Sequence, residues 1–154
     1  MTAFRFLFAI PFAALRLILA LASLICLTSC GGAEGKFSDT DQAFSKTQVG
    51  LQVWSEVITS LSKAGIDIPT HQSAEEALSD LEKRKLIDNV SHKWMSADGW
   101  DQAFVWEQKK NATGTTIRIG SKGRNGKWEQ GAGDDLYVEV QISTDGKCTV
   151  QFAP

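Results

Sequence analysis

Cysteine and histidine are scarce in this chain, and their scarcity excludes several kinds of site. Of the three cysteines, Cys26 and Cys30 lie in or directly after an apolar N-terminal run, which leaves Cys148 alone in the remainder. A lone cysteine excludes an internal disulfide framework. The two histidines, His71 and His92, lack metal-ligand spacing. We expect both on the surface, where polar residues of loops and helix starts commonly lie.

Catalytic motifs and an excess of positive charge are also lacking. The chain has no Gly-x-Ser-x-Gly nucleophile elbow, no EF-hand register and no internal repeat. It carries 16 basic and 18 acidic side chains, for a formal net charge of −2. Such a balance gives no electrostatic footprint for nucleic acid. We therefore predict neither an enzyme nor a nucleic-acid-binding protein.

The N-terminus has the pattern of a bacterial lipoprotein signal. Arg5 and Arg16 are the only charged residues before Cys30, in a stretch dominated by Leu, Ala, Phe and Ile. That stretch ends in Leu27-Thr28-Ser29-Cys30-Gly31, where the thiol of Cys30 would receive diacylglycerol before cleavage. Two alternatives stay open, an ordinary signal peptide and an uncleaved anchor, because an apolar run of about 20 residues spans a bilayer.

Cleavage before Cys30 would divide the chain into three parts. Residues 1–29 would be the lipoprotein signal peptide, residues 30–40 a flexible, glycine-rich tether, and residues 41–154 one globular domain. Removal of the signal leaves 125 of the 154 residues, enough for one domain but not for two. Gly31, rather than aspartate, after the lipidated cysteine favours the outer membrane in an organism with two membranes. We expect a membrane-anchored protein of the cell envelope that faces the periplasm.

Two helices are predicted after the tether. The first has one apolar face whose residues recur at steps of three and four, namely Leu51, Trp54, Ile58 and Leu61. Gly65 is placed to end it. Ser73-Ala-Glu-Glu76 has the pattern of a capping box and predicts the start of a shorter helix. The core-facing residues of that second helix would be Ala77, Leu78 and Leu81.

Four strands of an antiparallel sheet are predicted in the second half of the chain. Their apolar residues alternate with period two, at Phe104 and Trp106, at Ile117 and Ile119, within Leu136–Ile142 and within Cys148–Phe152. Asn111 and Gly114 supply turn chemistry between the first two strands, and Asp145-Gly146 supplies it between the last two. Cys148 would be a buried structural thiol. The predicted class is α+β, with the helices on one face of the sheet.

The segment between the second and third strands is rich in glycine. Its glycines are Gly120, Gly123, Gly126, Gly131 and Gly133, and two adjacent carboxylates, Asp134 and Asp135, close it. Glycine lets a backbone fold tightly and turn its carbonyls inward. Inward carbonyls and paired carboxylates are what a hard cation such as calcium requires.

This part of the chain resembles the C-terminal domain of the G-type major pseudopilin of type II secretion. That family has an Asp-Pro-Trp-Gly-Asn-Pro-Tyr-x-Tyr strand entry, a strand ending at Ser-x-Gly-x-Asp-Gly, and a glycine-rich calcium loop that ends in acidic residues and an apolar residue. The matching positions are Asp98, Trp100, Phe104 and Trp106; Ser121, Gly123, Asn125 and Gly126; and Asp134, Asp135 and Leu136. Upstream, Gly65-Ile-Asp-Ile-Pro69-Thr70 is similar to the family's Gly-x-Tyr-Pro-Thr segment, so the resemblance covers residues 40 to 136.

The resemblance implies a calcium site in the glycine-rich segment. Its ligands would be the carboxylates of Asp134 and Asp135, the backbone carbonyls of Lys122 and Lys127, and the amide oxygen of Asn125, which stands where the family has an aspartate. An amide adds no charge and the neighbouring basic residues oppose a cation, so the affinity should fall. The alternative is a metal-free turn in which the two aspartates accept backbone amides and pair with those basic residues.

The N-terminus departs from the pseudopilin pattern. Those proteins keep a long apolar helix after a Gly-Phe cleavage site, and that helix packs the filament core. Here the apolar run precedes Cys30 and would be removed, and Gly35-Lys36-Phe37 is followed by polar residues. We therefore expect an accessory or partner of such a machine, attached to the membrane by its lipid, rather than a filament subunit.

Two further features bear on the function. Asp98 and Asp101 flank Trp100 and have the composition of a glycosidase carboxylate pair, but in the resemblance this segment is a structural turn. Of the five tryptophans, only Trp128 is expected to be exposed, and an exposed loop aromatic is a candidate for contact with a partner.

The sequence thus predicts a non-enzymatic, lipid-anchored envelope protein that acts by protein contacts, as an accessory to a secretion or pilus-like machine. The alternative is a stand-alone calcium- or glycan-binding lipoprotein with the same fold. That alternative predicts binding of the ligand without any secretion component.

Overall fold

In the computed structural model, residues 38–153 are described, and in them three helices pack on one face of a four-stranded antiparallel sheet. The helices are α1 (Asp39–Lys63), α2 (Ala74–Lys83) and α3 (Asn89–Ser96). The strands are β1 (Val105–Asn111), β2 (Gly114–Ser121), β3 (Leu136–Ser143) and β4 (Cys148–Ala153), in the spatial order β1-β2-β3-β4. The predicted α+β class is confirmed.

Most predictions for the N-terminus concern residues outside the range 38–153 that the structure describes. The signal peptide of residues 1–29, the lipidated Cys30 and most of the tether lie outside the described residues. The last two tether positions, by contrast, are already helical, since α1 begins at Asp39. Within residues 38–153, none of the helices combines the length and the hydropathy needed to span a bilayer.

Both ends of α1 are closed by local hydrogen bonds. At the start, Ser38 Oγ accepts the N–H of Asp41 at 3.2 Å, and the Asp41 carboxylate accepts the N–H of Ser38 at 3.1 Å. At the end, Gly65 takes φ +69°, and the N–H of Ile66 donates to the carbonyl of Leu61 at 2.9 Å. This is a glycine-closed C-terminus of the Schellman type. The predicted role of Gly65 is confirmed.

The two shorter helices meet the predictions less completely. Ser73 Oγ accepts the N–H of Glu76 at 3.1 Å, but the Glu76 carboxylate accepts the N–H of Gln72, so only half of the predicted capping box forms. Helix α3 was not predicted. It is capped by the Asp88 carboxylate, which accepts the N–H of Ser91 at 2.7 Å, and Met95 is its one buried residue. A single buried position leaves no apolar period to detect.

The core lies between α1 and the inner face of the sheet. Trp106, Ile119 and Val138 form one row across β1, β2 and β3, and Ile117 and Val140 lie in the next row. The indole of Trp54, fully buried on α1, lies 5.5 Å from that of Trp106, and its Nε1 donates to the carbonyl of Met95 at 3.1 Å. The predicted stripe of α1 and the alternation of β3 are both confirmed.

Two residues are placed differently from the predictions. The side chain of His71 is only 7 % exposed, because it packs edge-on against Trp106 with ring centroids 6.0 Å apart. The expected surface position of His71 is therefore wrong, whereas the His92 side chain is 40 % exposed. Cys148 is half-buried, not buried, because it lies on the edge strand β4.

Helix α1 approaches the turn before β1 so closely that glycine is required. Thr47 Oγ1 donates to the carbonyl of Ala43 at 2.9 Å and accepts the N–H of Gly99 at 2.8 Å. A Cβ added at Gly99 would overlap the backbone of Ala43, and one added at Gly50 would lie 2.7 Å from the carbonyl oxygen of Trp94. Backbone atoms cannot yield as a flexible side chain can, so Gly99 sets the distance between α1 and the turn, and Gly50 sets the distance between α1 and α3.

We expect Gly99→Ala to destabilise the domain at the upper end of the roughly 1–3 kcal/mol that overpacking costs, because its Cβ meets backbone. Gly65→Ala is the matched control. It has the strain of a positive φ, but no neighbour lies within 4 Å of the added carbon. Chemical denaturation measures the free energy of unfolding of the wild type and of both variants. A loss for Gly99→Ala below the roughly 1 kcal/mol at which overpacking costs begin would show that the close approach to α1 is not a constraint.

Candidate functional site

The acidic loop, residues 122–135, connects β2 to β3 at one end of the sheet. Ser121 and Leu136 are paired across the two strands, so the loop leaves and re-enters the sheet at adjacent positions. Its four internal glycines all have positive φ, namely Gly123, Gly126, Gly131 and Gly133. A Cβ at Gly123 would overlap the carbonyl oxygen of Asp134, so the two ends of the loop are in direct contact. The predicted tight folding of this segment is observed.

A buried carboxylate fixes the start of the acidic loop. Asp98 is fully buried, and its Oδ1 accepts the N–H groups of Trp100 and Gln102, each at 2.9 Å. Its Oδ2 accepts the hydroxyl of Ser121 at 2.6 Å. The Ser121 hydroxyl oxygen in turn accepts the N–H of Gly123 at 3.1 Å. Asp98 therefore joins the turn before β1 to the end of β2 and the first residues of the loop.

Asp101 does not share the environment of Asp98. Its side chain is 88 % exposed and forms an ion pair with Lys46 at 2.9 Å. The Asp98 carboxylate is thus buried and accepts three hydrogen bonds. The Asp101 carboxylate lies on the surface, beside Lys46 of α1. The structure places this pair as parts of a turn and not as two groups facing a cleft.

The two aspartates that close the loop also differ. Asp135 is buried, and its Oδ2 accepts the N–H groups of Glu129 at 2.6 Å and Gly131 at 3.1 Å. Its Oδ1 is buried and, within the described residues, has no hydrogen-bond partner. Asp134 is exposed, and its Oδ2 accepts the N–H of Asn125 at 3.1 Å. An unpartnered buried carboxylate oxygen is costly, so it marks a place where a ligand would be stabilised.

Asn125 bridges the middle of the loop. Its Oδ1 accepts the N–H of Lys127 at 2.6 Å, and its Nδ2 donates to Glu129 at 3.3 Å. Among the ion pairs of residues 38–153, none joins Lys122, Arg124 or Lys127 to the aspartates of the loop. The amide contacts expected for a metal-free turn are therefore present, and the expected ion pairs are not.

A calcium ion in the loop would depend on more than side-chain carboxylates. In the described part of the chain, no three carboxylate, imidazole or thiol side chains converge as metal ligands. Of the predicted ligands, Asp135 keeps one oxygen free, Asp134 accepts the N–H of Asn125, and the Asn125 amide oxygen accepts the N–H of Lys127. Calcium binding by these residues and by the carbonyls of Lys122 and Lys127 stays a prediction.

Trp128 fastens the acidic loop to the outer face of the sheet. Its ring lies over Gly120, where an added Cβ would overlap the indole, and it meets the Tyr137 ring edge-on at 6.5 Å. Its Nε1 donates to Glu107 at 2.9 Å. The side chain is half-buried, so the expectation that it is exposed is wrong. Because Gly120 has no Cβ, the indole of Trp128 fits above it. The two residues are close in space but distant along the chain, so no local sequence pattern indicated this contact.

A charged ladder crosses the same outer face and was not predicted. Arg118 donates to Glu139 at 2.8 Å, lies 3.6 Å from Glu107 and stacks 4.9 Å from the centre of the Tyr137 ring. Hydrogen bonds from Gln141 and then from Arg118 lower the pKa of Glu139, and the bond to Glu139 raises the pKa of Arg118. Both pKa shifts favour the charged forms of Glu139 and Arg118, so this pair stays ionised over the neutral range beside the Trp128 anchor.

Two concave regions lie away from the loop. A cavity beneath His71, lined by Ile58, Pro69 and Trp106 among others, has room for about 10 Å³, roughly one water. An open groove of about 230 Å³ lies beside Ile66, Thr115 and Ile142. Both are smaller than the roughly 300 Å³ at which small-molecule pockets usually begin.

Comparison with known proteins does not assign the acidic loop a role. No family model, no curated protein and no solved structure matches this chain. The function is therefore inferred from the residues of the loop and of the sheet that holds it.

We expect Trp128→Ala to release the acidic loop and to open Lys122, Arg124 and Lys127 to trypsin. The reason is that the indole supplies the packing over Gly120 and the hydrogen bond to Glu107. Trp128→Phe keeps the packing and loses only the hydrogen bond, so its loop should be cut much more slowly. Limited proteolysis with mass spectrometry of the fragments measures both. Equal cleavage of the wild type and Trp128→Ala would contradict the anchoring role.

Proposed function

We propose that this chain is a lipid-anchored protein of the bacterial cell envelope that acts by binding other proteins, as an accessory to a type II secretion or related pilus-like machine. The proposal rests on the acidic loop. That loop is held at its start by Asp98, in its middle by Trp128 and at its end by Asp135. A loop with three separate attachments is a rigid surface that a protein partner can recognise.

The order of elements supports the same proposal. A long amphipathic helix and two short helices precede antiparallel strands, and the acidic loop lies between the second and third strands. Apart from α3, this is the order that the resemblance to the pseudopilin domain implies. The lipid on Cys30 would replace the apolar helix by which pseudopilins enter their filament, so the domain would work beside the filament and not within it.

The charge of the acidic loop indicates the kind of partner. Its buried carboxylate, Asp135, is turned inward onto backbone amides, and Asp134 is bonded to the Asn125 amide. Arg124 and Lys127 are exposed, and so are Glu129 and Asp134. The loop therefore presents charges of both signs to solvent, and a partner surface would have to complement both.

The first step of the test is the lipid. We expect cells fed a labelled fatty acid to transfer the label to the wild-type protein and to Cys148→Ser, but not to Cys30→Ser, because only Cys30 would be acylated. The Cys30→Ser protein should also leave the membrane fraction. Label retained by Cys30→Ser would refute the lipoprotein assignment.

The second step of the same test asks which protein contacts the acidic loop. A photo-reactive residue at Lys127 should trap an envelope protein of the secretion or pilus-like machine in intact cells, and one at Glu75, exposed on α2, should not. Mass spectrometry identifies the trapped protein. Identical products from both positions, or none from Lys127, would contradict recognition through the loop.

A second candidate function, a stand-alone calcium-binding lipoprotein, is favoured by one observation. The Oδ1 of Asp135 is a buried carboxyl oxygen without a hydrogen-bond partner in the described residues. A bound Ca²⁺ would remove that cost, with Asp134 as a second carboxylate nearby. Calcium binding is compatible with the accessory role, but as a sole function it needs no secretion machine.

We expect Ca²⁺ to raise the free energy of unfolding, by about 2.7 kcal/mol at one hundred times its Kd, and a chelator to reverse the effect. Asp134→Asn should remove the stabilisation without unfolding the domain, because Asp134 is exposed. Asp145→Asn is the matched control, because it removes a carboxylate from the distant β3–β4 turn. This variant should still be stabilised by Ca²⁺. Thermal melts with and without chelator measure the stabilisation by Ca²⁺. Identical melts for the wild type would leave the loop as a metal-free turn.

A further inference from the structure

The two edges of the sheet differ in their protection. Edge strands are normally guarded against pairing by charged side chains. Strand β1 carries Glu107, Lys109 and Lys110, whereas β4, Cys148–Ala153, contains no charged residue. Val150 and Phe152 on β4 are 37 % and 57 % exposed. One edge of this sheet is therefore guarded, and the other is open and apolar.

The apolar side chains of β4 lie on the face that the helices cover elsewhere. Val150 and Phe152 are paired with Val140 and Val138 of β3, both fully buried. Helix α1 makes most of its sheet contacts with β3 and fewer with β4. Helix α1 is thus centred over β3 and contacts β2 and β4 to the same extent, and within residues 38–153 it covers the inner face of β4 only in part, since Val150 and Phe152 stay exposed.

The backbone of β4 is also half free. The N–H of Ser143 donates to the carbonyl of Lys147 at 2.9 Å, which fixes the phase of the β3–β4 ladder. Antiparallel strands exchange hydrogen bonds at every second pair, so Thr149 and Gln151 bond to β3. The N–H and C=O groups of the alternate residues point to the open edge, namely those of Cys148, Val150 and Phe152.

We propose that β4 pairs antiparallel with β4 of a second copy of this chain, about a two-fold axis at Val150, to form one continuous sheet of two four-stranded halves. In this register Val150 faces Val150 of the second copy, and Cys148 faces Phe152. All three residues with edge-directed groups then meet their counterparts, which gives about six backbone hydrogen bonds between the copies.

Charge favours a second copy as the occupant. Like charges placed directly opposite each other on paired strands are destabilising, and a strand that pairs with itself about a two-fold axis must avoid them. Thr149 would face Gln151, and Lys147, the nearest charge, would face Ala153 and not Lys147 of the second copy. Nothing along the strand opposes the pairing.

The spacing of the layers accounts for the large side chains of β4. With α1 above β3 in each copy, three strand spacings separate the two helices, a distance of about 14 Å. Packed helices lie roughly 8–10 Å apart, so the two helices would leave a gap between them. Val150 and Phe152 from both copies would fill that gap and lose their exposure.

Cysteine cross-linking in cells that express the full chain tests the pairing. Val150→Cys, combined with Cys148→Ser, should give a disulfide-linked dimer on oxidation, because directly opposed residues of a hydrogen-bonded pair have Cα atoms about 5.5 Å apart, within disulfide range. Thr149→Cys in the same background is the matched control. It faces Gln151 in the proposed register, and it should not cross-link. Cys26 and Cys30 are unchanged in both variants.

A charge variant checks the same contact independently. Phe152→Cys should cross-link to the native Cys148 of the second copy, and adding Val150→Lys should abolish that product, because two lysines would meet at the axis. Adding Gln141→Lys instead places the same charge on the exposed side of β3 and should leave it intact. Circular dichroism confirms that each variant is folded.

Three results would overturn the proposal. The first is a folded Val150→Cys variant that gives no dimer, and the second is equal cross-linking from Thr149→Cys, which would indicate random collision. The third is a product whose mass is not twice that of the monomer isolated from the same cells, which would assign the β4 edge to a different protein. None of these outcomes depends on the lipid or on the partner of the acidic loop.

Discussion

The buried carboxylate of Asp98 is the interaction on which the arrangement of this domain depends. Removing a carboxylate from water costs several kcal/mol unless donors compensate it, and here two backbone amides and the Ser121 hydroxyl do so. Those donors belong to the turn before β1 and to the end of β2. The same turn meets α1 through Gly99 and Thr47. One side chain thus fixes the helix, the sheet and the acidic loop relative to each other.

The acidic loop shows how composition can mislead about a surface. Its two terminal aspartates suggest negative charge, but Asp135 is buried on backbone amides and Asp134 is bonded to one. Trp128 suggests an exposed aromatic, but it holds the loop to the sheet. The charged groups that reach solvent are Arg124, Lys127, Glu129 and Asp134, two of each sign. The hydrogen bonds of these polar side chains fix the shape of the loop. Only the polar groups that are not used in this way would be available to a partner.

Local pattern determined how much of this structure the sequence could predict. The stripe of α1, the alternation of β3 and the turn at Gly65 depend on neighbouring residues, and they were predicted correctly. Helix α3 has one buried residue and offers no period. The burial of His71 and of Trp128 depends on Trp106 and Gly120, which the fold brings to them. The Arg118 ladder likewise requires the strand register, which no local pattern supplies.

The acidic loop and the β4 edge do not compete for the same surface, because the loop leaves the sheet between β2 and β3 and pairing would use β4. A two-fold axis through Val150 runs the two β4 strands in opposite directions, so the loops would lie at opposite ends of the joined sheet. Both groups of helices would remain on one face, and both Trp128 anchors on the other. A dimer built this way presents two copies of the loop facing apart, and a partner that binds one loop would leave the second free for another. If the loop binds a partner as proposed, pairing through an uncharged edge would let one dimer connect two partners.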